Sequence, residues 1–135
     1  MICMSTLSKT DEILSRTVLL VGDDIQKLIN SHVAVFGLGG VGGYVCEILA
    51  RAGVGTITIV DFDKVDVTNI NRQIIALNST VGQNKTDAIL ARINDINPNI
   101  VVKVINDKLT QDNIDMFFSD KYDFVADCID MVDSK

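Results

Sequence analysis

Much that would steer a first reading is missing from these 135 residues. No apolar run approaches the roughly 20 residues that a membrane-spanning helix needs. The opening MICMSTLSKTDEILSR carries acids and has no apolar core, so it is not a signal peptide. A cytosolic protein is expected. Cys3, Cys46 and Cys128 are odd in number, far apart, and show no CxxC spacing. Neither a disulfide framework nor a zinc site can be read from them. Basic charge is also short: 12 Lys and Arg stand against 18 Asp and Glu, a net charge of −6. That excludes a general nucleic-acid-coating surface, which needs clustered cations. Internal repeats and low-complexity tracts are absent.

What remains has the composition of a folded domain, 47% hydrophobic and 22% charged, long enough for one core. Residues 1–10 read as a loose tail. DEILSRTVLLVG and DDIQKLINS read as short helices, with Gly22 between them and Asp23 as an N-cap. HVAVFG is a buried strand. In GVGGYVCEILARAGVG, Val41, Tyr44, Val45, Ile48, Leu49 and Ala52 recur at helical spacing, with Gly53 at the C-cap. TITIVDFD is a second strand. NKTDAILARINDIN is a helix with Ala88, Ile89, Ile93 and Ile96 on one face, stopped by Pro98. IVVKVI is a third strand, TQDNIDMFFS a helix capped by Thr110, and YDFVADCID a fourth strand.

This alternation predicts an α/β, Rossmann-like domain with a mostly parallel sheet and flanking helices over residues 32–135. A short helical arm, residues 1–31, precedes it. The chain stops at DMVDSK, where a doubly wound sheet continues with another helix and more strands. A longer parent protein is expected, and this part alone is expected to be inactive.

VAVFGLGGVGG supplies G-x-G-x-x-G through Gly37, Gly39 and Gly42, between a strand and a helix. Small residues let the backbone approach a phosphate, and the helix N-terminus offers free N–H groups. The competing reading is close helix–strand packing alone. Asp61, ending the second strand, suits ribose hydroxyls. At this point NAD and ATP are both open.

The next stretch, TNINRQIIALNSTVGQNK, bears on that choice. Hydride transfer has little need of cations along this path. Transfer of a nucleotidyl or phosphoryl group does, because charge builds on the phosphates. Arg72 offers a planar fork and Lys85 a point charge. Asn69, Asn71 and Gln73 can hold the loop or donate to phosphate. Asp130 lies at the carboxyl edge of the sheet, where a carboxylate beside triphosphate suits Mg²⁺. Each has a plainer alternative: Lys85 as a solvated first-turn lysine, Arg72 paired with Asp63 or Asp66, Asp130 as a helix cap. One anionic nucleotide explains all of them together.

The stretches VFGLGGVGG, GVGTITIVDFDKVDVTNINRQ, VGQNK, INP and DCID carry a resemblance. From about Arg16 to its end, the chain resembles the ubiquitin-activating-enzyme-like adenylyltransferases, the HesA/MoeB/ThiF superfamily. NINRQIIAL, EILARAGVG and DCIDMVDSK are most similar to its tRNA threonylcarbamoyladenosine dehydratase branch. Met131 stands where sulfur-carrier activators have asparagine.

The resemblance implies ATP at the glycine loop, Gly40 included, and Asp61 on the ribose. It implies Asn69, Arg72 and Lys85 around the phosphates, with Asp63, Thr68, Asn71 and Gln73 in the same binding set, and Asp130 on Mg²⁺. Arg16 matches an arginine that reaches the partner subunit's ATP, which implies a homodimer. The implied reaction is ATP-dependent activation of the threonylcarbamoyl carboxylate on a tRNA adenosine, then ring closure with loss of water. The tRNA contacts are expected mostly beyond Lys135. The alternative is adenylation of the C-terminal Gly-Gly of a ubiquitin-like sulfur carrier, with a sulfur-transfer protein as a further partner. No enzyme nucleophile stands out: Cys46 and Cys128 lie among apolar neighbours and read as core. His32, the single histidine, reads as a strand-edge residue.

Overall fold

The computed structural model describes residues 9–130. Cys3, Met131 and most of the expected tail lie outside the described residues. The elements run α1 (Lys9–Val21), a 3-10 turn (Gly22–Asp24), α2 (Ile25–Ile29), β1 (His32–Phe36), α3 (Gly42–Ala52), β2 (Thr56–Val60) and a second 3-10 turn (Val67–Asn69). There follow α4 (Lys85–Ile96), β3 (Val101–Ile105), α5 (Ile114–Phe117) and β4 (Phe124–Asp127). Among the described residues no helix is long and apolar enough to cross a membrane.

The four strands form one parallel sheet in the order β3-β2-β1-β4. This is the Rossmann-like α/β fold. The order in which strands are added reverses at β1, with β2 and β3 on one side and β4 on the other, so the connections leaving β1 and its neighbour β4 diverge at the topological switch point where such sheets bind ligands. Side chains alternate between the two faces of each strand. Val33, Val35, Ile57 and Ile59 face α3 and α4 and form the larger core. Ala34, Phe36 and Val60 face Phe117 on the other side. His32, at the start of β1, shares a 2.7 Å hydrogen bond with Thr58 Oγ1 and meets the Tyr122 ring edge-on. It sits at the sheet end opposite the glycine loop.

Helix α3 departs from its expected apolar face. Val41, Tyr44 and Ile48 are exposed, Val41 and Ile48 each at 65%. The buried face is Gly42, Gly43, Cys46 and Ala50. The reason is distance. A Cβ at Gly42 would fall 1.6 Å from the Gly37 carbonyl oxygen, and one at Gly43 3.2 Å from Ile74 Cγ2. Only small residues let the helix come this close, so Val41, Tyr44 and Ile48 turn outward while Val45 and Leu49 pack half-buried at the edge of the core. Gly53 ends the helix at φ 91°, as expected of a left-handed C-cap.

Two expected caps are corrected. Asp23 lies inside the first 3-10 turn, and α2 starts after Asp24 with no side-chain cap. Thr110 does not cap a helix. Asn113 Oδ1 accepts the Thr110 N–H at 2.8 Å while its Nδ2 donates to the Lys108 carbonyl. These local bonds compete with helix formation, so α5 is one short turn. The face expected of α4 is present, with Ala88, Ile89 and Ile93 buried.

Candidate nucleotide site

At the carboxyl ends of β1, β2, β3 and β4 lies a cavity of about 300 Å³. Its wall is built from four loops. Gly37, Gly39, Gly40 and Val41 come from the turn after β1, and Asp61, Phe62 and Asp63 from the end of β2. Asp107, Lys108 and Leu109 follow β3, and Cys128, Ile129 and Asp130 follow β4. Arg72, Gln73 and Lys85 reach in from the crossover between β2 and α4.

Asp61 lies just past the last residue of β2 and fixes the rim. Leu38 N–H donates to its Oδ2 and Asp63 N–H to its Oδ1, both at 2.8 Å. One buried carboxylate thus ties the glycine loop to the second strand's exit. Each oxygen keeps a lone pair for a further donor.

The crossover is a folded loop. Val65 N–H donates to the Gln83 carbonyl, Gly82 N–H to the Val65 carbonyl, and Lys85 N–H to the Asp63 carbonyl, so both ends of the loop are zipped together. Gly82 makes the turn at φ 90°. Val65, Ile75 and Ala76 anchor the loop in the core. Within it, Asp66 and Asn69 form a capping box around the 3-10 turn. The Asn69 carbonyl then accepts the N–H groups of Arg72 and Gln73. Arg72 Nη1 donates to the Thr68 carbonyl and to Asn71 Oδ1. The stem of Arg72 lies 3.7 Å from where a Gly40 Cβ would be.

The expected binding residues therefore fall into two groups. Gly37, Gly39, Gly40, Asp61, Asp63, Arg72, Gln73, Lys85 and Asp130 come together on the wall. Gly42, Thr68, Asn69 and Asn71 are not on it. Gly42 lies under the loop, and the other three hold Arg72 and Gln73 from behind. Arg16 is exposed on α1 and is not on this wall either. Asn69→Ala, which removes a buried capping side chain, is expected to cost about 1 kcal/mol of stability. Chemical denaturation measures that loss, and an unchanged midpoint would contradict the bracing role.

Two polar groups on the wall are left short of partners. Lys85 opens α4, yet its side chain is only 8% exposed, so it is no solvated surface lysine. Among the described residues the one carboxylate paired with its ammonium is Asp63 Oδ2 at 3.7 Å, beyond hydrogen-bond reach. Gln73 is 7% exposed, and its Oε1 has no hydrogen-bond partner. Arg72 has no carboxylate partner among the described residues. The wall thus carries one underused donor, the Lys85 ammonium, and one orphan acceptor, Gln73 Oε1. No cluster of three metal-binding side chains occurs among the described residues.

Sequence reasoning missed Phe62, Asp107, Lys108 and Leu109. Lys108 Nζ lies 5.9 Å from the Phe62 ring centroid, so these two make one side of the cavity. The available signal was position: the loop after β3 must end on the same sheet edge as the loops after β1 and β2.

A model of the ThiF family matches residues 14–135. The tRNA threonylcarbamoyladenosine dehydratase of Bacillus subtilis is 48% identical over 119 residues, 87% of this chain and 47% of that protein. The molybdopterin-synthase adenylyltransferase of Escherichia coli is 36% identical over 121 residues, 87% of this chain and 48% of that protein. Among solved structures, the E. coli tRNA N6-threonylcarbamoyladenosine dehydratase in complex with ATP matches with a TM-score of 0.91 and 40% identity. That match covers 96% of this chain and 54% of the other. The chain spans about half the length of these relatives.

Proposed function

The chain belongs to the ThiF family, and from that premise we propose that it is the ATP-binding part of an enzyme that activates a carboxylate. The substrate is the threonylcarbamoyl group of a modified tRNA adenosine, and the outcome is ring closure with loss of water. The observation that carries this reading is Lys85: a largely buried lysine side chain with a stretched ion pair, on a cavity wall that it shares with Arg72.

A carboxylate is a poor electrophile because its oxygen leaves badly. ATP supplies the phosphoryl or adenylyl group that makes that oxygen a good leaving group. The protein's own residues supply the rest. Lys85 and Arg72 face the charge that develops on the phosphates, where fixed cations in a partly dry site act most strongly. Gln73 Nε2 donates to the same groups, and Asp61 accepts from ribose. Phe62, Lys108 and Leu109 wall the side that suits a base. The wall also holds Asp63, Asp107 and Asp130, so a triphosphate needs added positive charge. A single carboxylate plus phosphate oxygens is an ordinary Mg²⁺ environment, and Asp130 is assigned to it. Ring closure needs no enzyme nucleophile, because the attacking nitrogen belongs to the same side chain as the carboxylate. A tRNA substrate puts the activity in the cytoplasm.

Arg16 acts in this reading across a homodimer. It stands on α1 away from its own cavity, and the same helix ends in Leu19 and Leu20, the latter 87% exposed. The outer row of α3, Val41, Tyr44 and Ile48, is a second apolar surface suited to a partner copy. Mixing Arg16→Ala with Lys85→Met protein tests this. Each alone is expected to be inactive, and random pairing into twofold dimers should restore about a quarter of wild-type activity. No recovery would remove Arg16 from the partner's site.

The runner-up is adenylation of the C-terminal Gly-Gly of a sulfur carrier, with a sulfur-transfer protein downstream. The molybdopterin-synthase adenylyltransferase relatives support it at 36% identity, against 48% for a dehydratase. Offering the protein both substrates with ATP separates the two. Loss of one water from the modified tRNA is expected, and an adenylated carrier with unchanged tRNA would reverse the assignment.

A further inference from the structure

We propose that Asp63 is the displaceable counterion of Lys85. It balances the lysine while the cavity is empty, yields it to phosphate when nucleotide enters, and takes it back as product leaves. This rests on the nucleotide reading above and gives Asp63 a part in that site which opposes the anion it admits.

The pair is fixed by the backbone. The Asp63 N–H donates to Asp61 Oδ1 at 2.8 Å, and the Asp63 carbonyl accepts the Lys85 N–H at 3.0 Å. The adjoining residues Lys64 and Asn84 form an antiparallel bridge. Residues 63–64 and 84–85 are therefore pinned side by side, and Asp63 stays beside Lys85 whatever the rest of the crossover does. Both line the cavity.

The two side chains differ in freedom. That of Lys85 is 8% exposed and that of Asp63 51%. The lysine is held within the wall, whereas the carboxylate stands half in water and can turn into solvent about its own side-chain bonds. At 3.7 Å the contact is a charge pair without a hydrogen bond. A largely buried cation needs a compensating charge, and Asp63 supplies it loosely. A phosphate oxygen offers both charge and a hydrogen bond, the stronger combination, and so replaces it. Arg72 makes the contrast. The Thr68 carbonyl and Asn71 Oδ1, both neutral, hold its guanidinium, so it meets phosphate without giving up an acid.

Calorimetry on the whole enzyme of which this chain is the ATP-binding part tests the proposal, with metal-free ATP and inorganic pyrophosphate as probes. Asp63→Asn keeps the side chain's size and removes its charge. It is expected to bind both probes about threefold to tenfold more tightly than wild type, the range for one half-exposed charge at this distance. In the Lys85→Met background the same substitution should gain less, because the exchange runs through the lysine. In turnover, KM for Mg-ATP should fall while kcat does not rise, the split expected when ground state and transition state gain alike. Unchanged or weaker pyrophosphate binding by Asp63→Asn would overturn the counterion role. A loss confined to Mg-ATP would make Asp63 a metal ligand instead. An equal gain with and without Lys85 would show plain repulsion of the ligand and remove the exchange. Wild-type enzyme that binds neither probe would sink the nucleotide reading and the counterion role with it. ATP binding by wild type, with weaker binding by Asp63→Asn, would sink the counterion role alone.

Discussion

Lys85→Met is expected to lower the ATP-dependent rate by about 10²- to 10³-fold, the loss typical of one preorganised donor at developing charge. The same substitution should leave the fold intact. Its side chain is largely buried, and its acidic partner among the described residues, Asp63, is 3.7 Å away. A buried ion pair of poor geometry repays little of its desolvation cost, and an apolar side chain of similar length often does as well or better. Thermal unfolding should therefore show an unchanged or raised midpoint while kcat/KM collapses. A lowered midpoint with an unchanged rate would mean that Lys85 serves packing and not phosphate.

Gly42→Ala should act in the opposite way, on folding before chemistry. Its new methyl would meet the Gly37 carbonyl oxygen at 1.6 Å. That carbonyl cannot withdraw, because the Gly37 N–H donates to the Val60 carbonyl and the Cys128 backbone lies against its other side. A loss of about 3 kcal/mol or more is expected, at or beyond the usual range for overpacking. Gly40→Ala is the control. Its nearest neighbour would be Arg72 Cγ at 3.7 Å, an ordinary contact. Its stability should stay within about 0.5 kcal/mol of wild type. Urea denaturation of the two variants separates them. Equal midpoints would show that the glycine motif serves ligand approach alone and not helix–strand packing.

That pair bears on how much could be read in advance. The alternation of apolar strands with periodic helices was enough for a parallel sheet, because each crossover has only one favoured hand. The place of Asp61 on the cavity wall was readable because it follows an unbroken β-branched run. The α3 face was not, since a search for large apolar residues passes over Gly42, Gly43, Cys46 and Ala50. Close packing selects for small side chains, and hydrophobicity carries no trace of that. Likewise Asn69, Asn71 and Gln73 look equivalent as a string. Only the turn at Val67–Asn69 makes Asn69 a brace, Asn71 an acceptor for Arg72, and Gln73 a wall residue. Lys108 belongs to a loop whose composition says nothing; parallel register brings it to the cavity.

The central claim is that ATP activates a carboxylate in this cavity, and one isotope experiment addresses it. Threonylcarbamoyladenosine tRNA, labelled with ¹⁸O in the carboxylate, is incubated with the whole enzyme of which this chain is the ATP-binding part and with unlabelled Mg-ATP. Activation moves one carboxylate oxygen onto the group that leaves, so ¹⁸O should appear in AMP or in inorganic phosphate as the ring closes. Ring closure with ¹⁸O in water alone, or ATP turnover with all the label still in the tRNA, would contradict the account.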